Sequence, residues 1–306
     1  MTPLEPRARR TSVVAAVLGL VAASLVLLPA GPAAAATAWF VDGASASCTD
    51  TTAGGTQTTP FCTITAAAKK ALTPGDSVTV APATYREQVT LAASGTAAAP
   101  IAFTATGPGV VVLGTQNVSD PATWTATGTA AWSRPFVVPS APRQVFVDGD
   151  RLATATSATA TTTGSFFYDA VARVLYVDLG GANPGSGHTI EAGAQTYGFN
   201  VANRTGVSIN GFDLRRQNSA GVRVFTASAV TVTGVTATEP GVNGVIVDSS
   251  TASDVVVSGC HVSGSASVGV RVTNSVGATV RGCTSNNNGF HGFALNASRS
   301  VVLQGK

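Results

Sequence analysis

Two arginines stand at matching places in the sequence, Arg223 in "GVRVFTASAVTVTGV" and Arg271 in "GVRVTNSVGATVRGC". A guanidinium meets a carboxylate as a fork, so such a pair suits successive carboxylates of an anionic chain; the plain alternative is two solvated arginines on a sheet face. Asp213 and His261 form a second pair of equivalent positions. The pKa of a histidine reaches the working range of a proton shuttle, which makes His261, with Arg271, the candidate catalytic group, although a lone exposed histidine is also an ordinary surface residue. Arg281, two residues before Cys283, is expected to extend a cationic patch from Arg271. Substrate contacts would then fall to Arg223, Arg271, Arg281 and Asp213. The other acids of this region are Glu239, Asp248 and Asp254. They could supply oxygen ligands to calcium, or, as a pair about 5 to 9 Å apart, serve hydrolysis. Equally, they are turn-stabilising or solvated acids, since no ordered acidic motif surrounds them.

Positioning these residues is the work of a repeat. A first glycine recurs at Gly198, Gly221, Gly244, Gly269 and Gly292, in steps of 23, 23, 25 and 23 residues. A second follows at Gly211, Gly234, Gly259, Gly282 and Gly305, 13 residues later except in the third copy, where "SSTASD" stretches the interval to 15. Apolar residues alternate within each copy, as at Val222, Val224, Val230 and Val232, which is strand periodicity. Leucine-rich repeats would need a leucine ladder where this chain has valine. The pattern predicts an all-β, right-handed parallel β-helix, each copy one coil pairing with the next. Side chains then stack in columns about 4.8 Å apart per coil. Phe199, Val222, Val245, Val270 and Phe293 form an inward column, as do Val201, Val224, Val247, Val272 and Leu295. Asn200, Arg223, Ile246, Arg271 and Ala294 form an outward one, which separates Arg223 from Arg271 by roughly 10 Å. Asp213, Thr236, His261 and Thr284 form another.

The ends bound the problem. Residues 1–36 have the basic start, apolar middle and small-residue end of a secretory signal, and no later stretch is long and apolar enough to span a membrane. Removing them takes away Arg7, Arg9, Arg10 and Glu5, so the formal charge falls from +3 to +1. With three lysines, Lys69, Lys70 and Lys306, and no basic run, a nucleic-acid partner is not expected. A secreted monomer is. Cys48 and Cys62 flank a Gly/Thr-rich loop and predict a disulfide worth about 3 kcal/mol in an exported protein. Cys260 and Cys283 stack in one inward column with side chains pointing in parallel, and are expected to be buried free thiols. The chain stops at "VVLQGK", partway round the fifth coil, as if a longer protein continued.

Before the repeat, residues 37–116 read as a cap and first coils. "TITAAAKKALTPGD" is a short helix with Thr63 as its cap and Pro74-Gly75 as its stop. Residues 117–192 break the rhythm. "RQVFVDGDRLATA" and "SFFYDAVARVLYVDL" predict two hairpins, the first turning at Asp148-Gly149, in an inserted β subdomain. Trp124 and Trp132 either fill its small core or stack on sugar rings. The regular coils run over residues 193–306.

The stretch "WFVDGASASC…FCTITAAAKKALTPGDSVTVAPATYREQV", followed by "SGTAAAPIAFTATGPGVVVLG", resembles the N-terminal region of secreted right-handed β-helix proteins of the pectate-lyase-like superfamily, including family 9 pectate lyases and the chondroitinase B and alginate lyase group. That resemblance implies extracellular polysaccharide as substrate, cut by β-elimination with calcium: a cation neutralises a uronate carboxylate and a lysine or arginine removes the adjacent proton. Here no lysine lies between Lys70 and Lys306, and no motif of the sequence receives the family's catalytic residues. A polysaccharide lyase is the leading expectation; a glycoside hydrolase and a non-catalytic glycan-binding scaffold are the alternatives.

Overall fold

The computed structural model describes residues 35–250 and 254–305, so the signal segment lies outside the described residues except for its last two positions. Three parallel sheets wrap around one core. The first face has eight strands, Ala38–Val41, Ser77–Val80, Ile101–Ala105, Thr205–Asn210, Ser228–Thr233, Val255–Ser258, Thr279–Arg281 and Val302–Gln304. The second has six: Ala83–Tyr85, Val110–Leu113, Asp213–Arg215, Thr236–Thr238, His261–Ser263 and Thr284–Asn286. The third has six: Val89–Thr90, Tyr197–Ala202, Ala220–Phe225, Asn243–Asp248, Val268–Thr273 and His291–Asn296. Each regular coil therefore contributes three strands, and the chain is an all-β right-handed β-helix.

The register matches the columns read from the repeat. Phe199 pairs with Val222, Val222 with Val245, Val245 with Val270 and Val270 with Phe293. The column beside it runs from Val201 to Leu295 through the same ladders. Val222, Val224, Val245 and Val247 are fully buried, each worth roughly 2 kcal/mol of apolar transfer. The two glycine series have different jobs. Those of the second, from Gly211 to Gly305, hold φ between 57° and 77° and turn the chain from the first face to the second. Those of the first lie in the third-face strands, where a Cβ on Gly221 would sit 3.0 Å from the carbonyl oxygen of Gly244 in the next coil.

The capping helix is Ile64–Ala68, shorter than the sequence suggests, with the Thr63 hydroxyl accepting from the Ala66 N–H. Ile64, Ala67 and Ala68 close onto the solenoid core. Glu87 accepts the Ile64 and Thr65 N–H groups, 2.8 Å each. Burial raises its pKa above the ordinary 4.5, with those hydrogen bonds pulling the other way. A raised folded pKa stabilises most below the unfolded value and progressively less as pH rises through the folded one. The stability gap between wild type and Glu87→Gln is thus expected to narrow in urea melts as pH rises above the ordinary carboxylate range. A gap that widens would contradict this assignment.

The insert replaces the turn that joins the second face to the third in one coil. It carries a four-stranded sheet (Thr115–Asn117, Val145–Val147, Asp150–Arg151, Ile190–Gly193) and a five-stranded one (Thr125–Thr127, Ala131–Pro135, Ala153–Thr154, Ser165–Asp169, Val174–Asp178). Both hairpins foreseen in the sequence are present: Val147 pairs with Asp150 around Asp148 and Gly149, at φ 50° and 97°, and Ser165 pairs with Asp178. Trp124 is buried in the insert's own core with Phe136, Phe166 and Leu175, and Trp132 packs against it. Fully buried Asn218 ties the insert down. Its amide donates to the Ser140 and Ala141 carbonyls, 3.3 and 3.2 Å, and its Oδ1 accepts from the Arg143 N–H at 3.1 Å. Asn218→Ala is expected to cost about 2 kcal/mol and to speed proteolysis within 117–192. An unchanged denaturation midpoint would refute that role.

Cys48–Cys62 is a disulfide. Cys260 and Cys283 are bridged as well, which corrects the expectation of free thiols. Both residues follow a left-handed glycine at a corner of the coil, Gly259 and Gly282, and their Cα atoms lie 4.5 Å apart, within bridging range. Side chains at a corner are not held perpendicular to a sheet as they are in mid-strand.

Candidate functional site

A cleft of about 570 Å³ opens where the insert leans over the second face. Its floor is the outward side of the second-face strands, Thr84, Val111, Leu113, Arg215 and Thr238, and its wall is Glu191 from the insert strand Ile190–Gly193. Arg86 and Arg216 follow the ends of second-face strands, and both reach Glu191: Arg86 Nη2 at 2.8 Å to Oε1 and Arg216 Nη1 at 2.7 Å to Oε2. Arg216 Nε also donates to Glu239 Oε2 at 2.8 Å, and its Nη2 to the Gly149 carbonyl at 3.2 Å. Phe146 underlies the cluster, with the Arg216 guanidinium 3.9 Å and that of Arg151 5.4 Å from its ring centroid. Such stacking adds to the charge pairing where water is excluded.

Arg215 pairs with Asp213 on the floor, its Nε donating to Oδ2 at 2.9 Å. That bond raises the Arg215 pKa, whereas burial lowers that of Arg151. Asp213 Oδ1 is covered and has no hydrogen-bond partner among the described residues. Arg215 itself is half exposed and free to turn toward a ligand.

Among the residues foreseen from the sequence, Glu239 lines this cleft and Asp213 adjoins it through Arg215. His261 continues the Asp213 column along the same face with Thr236 between them, is exposed, and shares a hydrogen with Thr284 Oγ1 through Nδ1 at 2.8 Å. Arg223 and Arg271 lie elsewhere, on the third face, so His261 and Arg271 do not share a site. Arg281 is on the first face and extends no patch from Arg271, because the chain turns a corner between them at Asn274, φ 47°. Asp248 ends a third-face strand and accepts from the Ser249 hydroxyl at 2.9 Å; Asp254 precedes a first-face strand. With Glu239 engaged by Arg216, these three acids do not form one calcium site, and no three His, Cys, Asp or Glu side chains cluster as metal ligands among the described residues.

Arg86, Arg151, Glu191, Arg215 and Arg216 were not singled out by spacing. One local signal existed: "DLRRQ" places two arginines where the following coils read "TATEP", "HVSGS" and "TSNNN". Glu191 carries none, since its position over the cleft depends on the fold of the insert.

A family model described as "Right handed beta helix region" matches residues 193–305. No curated protein matches the sequence significantly. Among solved structures, XylC in its complex with xylose is 13% identical with a TM-score of 0.59, over 87% of this chain and 65% of that one. A glycoside hydrolase is 9% identical with a TM-score of 0.47, over 88% of this chain and 96% of that one. The pectate lyase Pel9A is 13% identical with a TM-score of 0.42, over 83% and 54%. The chain thus spans 65% of the length of the XylC chain, and at these identities the likeness is one of fold.

Proposed function

Because the chain is a right-handed β-helix, we propose that it is a secreted, carbohydrate-active protein that binds an acidic polysaccharide in the cleft beneath the insert and cleaves it as a uronate lyase. The observation that carries this reading is the set of arginines, Arg86, Arg215 and Arg216, concentrated on one concave wall and floor. Arginine forks match a uronate carboxylate, and neutralising that carboxylate acidifies the proton on the adjacent carbon. In β-elimination that C5–H bond breaks, its electron pair forms the C4–C5 double bond, and the C4–O bond breaks with O4 taking up a proton. Arg215 is the group best placed to take the carboxylate, since it is half exposed and needs only to exchange Asp213 for the ligand. His261, further along the same face with its Nε2 in no hydrogen bond among the described residues, is the proposed base. The two intact disulfides accord with an oxidising, extracellular setting.

A non-catalytic scaffold is the second reading. It is favoured by the engagement of every carboxylate of the cleft by an arginine, Glu191 and Glu239 by Arg216 and Asp213 by Arg215. The mature protein incubated with pectate, alginate and chondroitin, with and without calcium, separates the two. A rise in the ultraviolet absorbance of unsaturated uronate is expected on one of these polymers. No rise on any of them, from folded protein, would leave the scaffold or a hydrolase in its place.

A further inference from the structure

We propose that the third face carries a second, non-catalytic binding strip for polyuronate, built on Arg223 and Arg271 and separate from the cleft. The two arginines occupy one outward column with Ile246 between them, Arg223 paired to Ile246 and Ile246 to Arg271. Two strand spacings set them about 9.6 Å apart. Unlike the arginines of the cleft, neither pairs with a carboxylate among the described residues. Arg223 lies against aromatic rings instead, 4.1 Å from the Phe225 centroid and 5.3 Å from that of Tyr197, with a long contact of 3.4 Å to Asn200 Oδ1. Arg271 lines a cavity of about 250 Å³ with Phe290 and His291, and its Nε meets no acceptor among the described residues. The nearby acid, Asp248, sits in the neighbouring column, its carboxylate taken by Ser249.

This layout alternates charge with apolar surface. Two cations that no carboxylate among the described residues pairs flank Ile246, with half-buried Tyr197 and Phe225 beside the first. An extended 1,4-linked polyuronate presents carboxylates on one side at every second sugar, at a spacing of this order. The two arginines take those carboxylates as forks, and the apolar face of the intervening sugar rests on Ile246. A neutral glycan would leave both guanidinium groups unmatched, so the strip selects for charge. Its position on a different face lets one polymer be held there while the cleft is occupied.

Affinity electrophoresis of the full chain in gels containing polygalacturonate tests the strip. Methyl-esterified pectin serves as the uncharged control. Wild type is expected to be retarded by polygalacturonate and not by the ester, with retardation weakening as salt is added. Arg223→Gln with Arg271→Gln should lower the apparent affinity about tenfold, while Lys69→Gln with Lys70→Gln, which removes the same charge from the exposed end of the cap, keeps most of it. Urea melts verify that the double variant is folded, and glutamine preserves stacking on Phe225. Undiminished retardation of the folded double variant, equal retardation by the ester, or no retardation of wild type would each overturn the strip. The lyase reading fails by a different readout, absence of unsaturated product, so the two outcomes are distinguishable.

Discussion

Gly244→Ala is expected to destabilise the protein by about 3 kcal/mol or to prevent folding. A Cβ there would lie 2.7 Å from the carbonyl oxygen of Gly269, a backbone atom fixed by the ladder between Asn243–Asp248 and Val268–Thr273. Backbone cannot rotate away as a side-chain tip can, so relief requires two coils to separate. Separation breaks parallel hydrogen bonds and opens the Val245–Val270 contact to water. The same clash recurs at Gly221 against Gly244, at a looser 3.0 Å, and Gly221→Ala is expected to cost less. Chemical denaturation of the two variants checks the order. Equal, small losses would show that the coils yield more readily than their ladders suggest.

Arg216→Met is expected to lose about 3 kcal/mol of stability and the shape of the cleft with it. Arg216 joins Glu191, Glu239, the Gly149 carbonyl and the Phe146 ring, so it holds the insert hairpin to the second face. Methionine retains the packing on Phe146 but leaves Glu239 without its cation and Glu191, only 12% exposed, with Arg86 alone. An orphaned charge in a partly dry site costs more than the pair it came from contributed. Arg216→Lys should recover a minor part, because one ammonium cannot meet two carboxylates with fork geometry. By contrast, Arg215→Ala removes a pair whose arginine is half exposed, and is expected to shift stability by less than about 1 kcal/mol. That contrast separates architecture from ligand binding within one cleft.

The solenoid was legible because its physics is local and repeated. Alternating valines, two glycine series and a capping threonine each act over a few residues, and the coil stack multiplies them into columns. The same logic placed Arg223 and Arg271 in one column and Asp213 and His261 in another. A period reports which residues stack, but not the angle between one column and the next. Arg281 was therefore joined to Arg271 although a corner at Asn274 puts them on different faces. Corners also explain Cys260 and Cys283, whose side chains escape the parallel arrangement that a flat strand imposes. The cleft was hidden for another reason. Arg86, Glu191 and Arg216 come from an early coil, the insert and a later coil, and only the docking of the insert through Asn218 and Gln144 brings them together.

The most direct test of the cleft as the site of polysaccharide cleavage is the rate of unsaturated uronate formation by folded Arg215→Ala beside wild type, on the polymer that wild type cuts. Loss of a guanidinium that neutralises the substrate carboxylate predicts a fall of about 100-fold or more at unchanged stability. An Arg215→Ala rate equal to that of wild type, or no product from wild type on any of the three polymers, would contradict it.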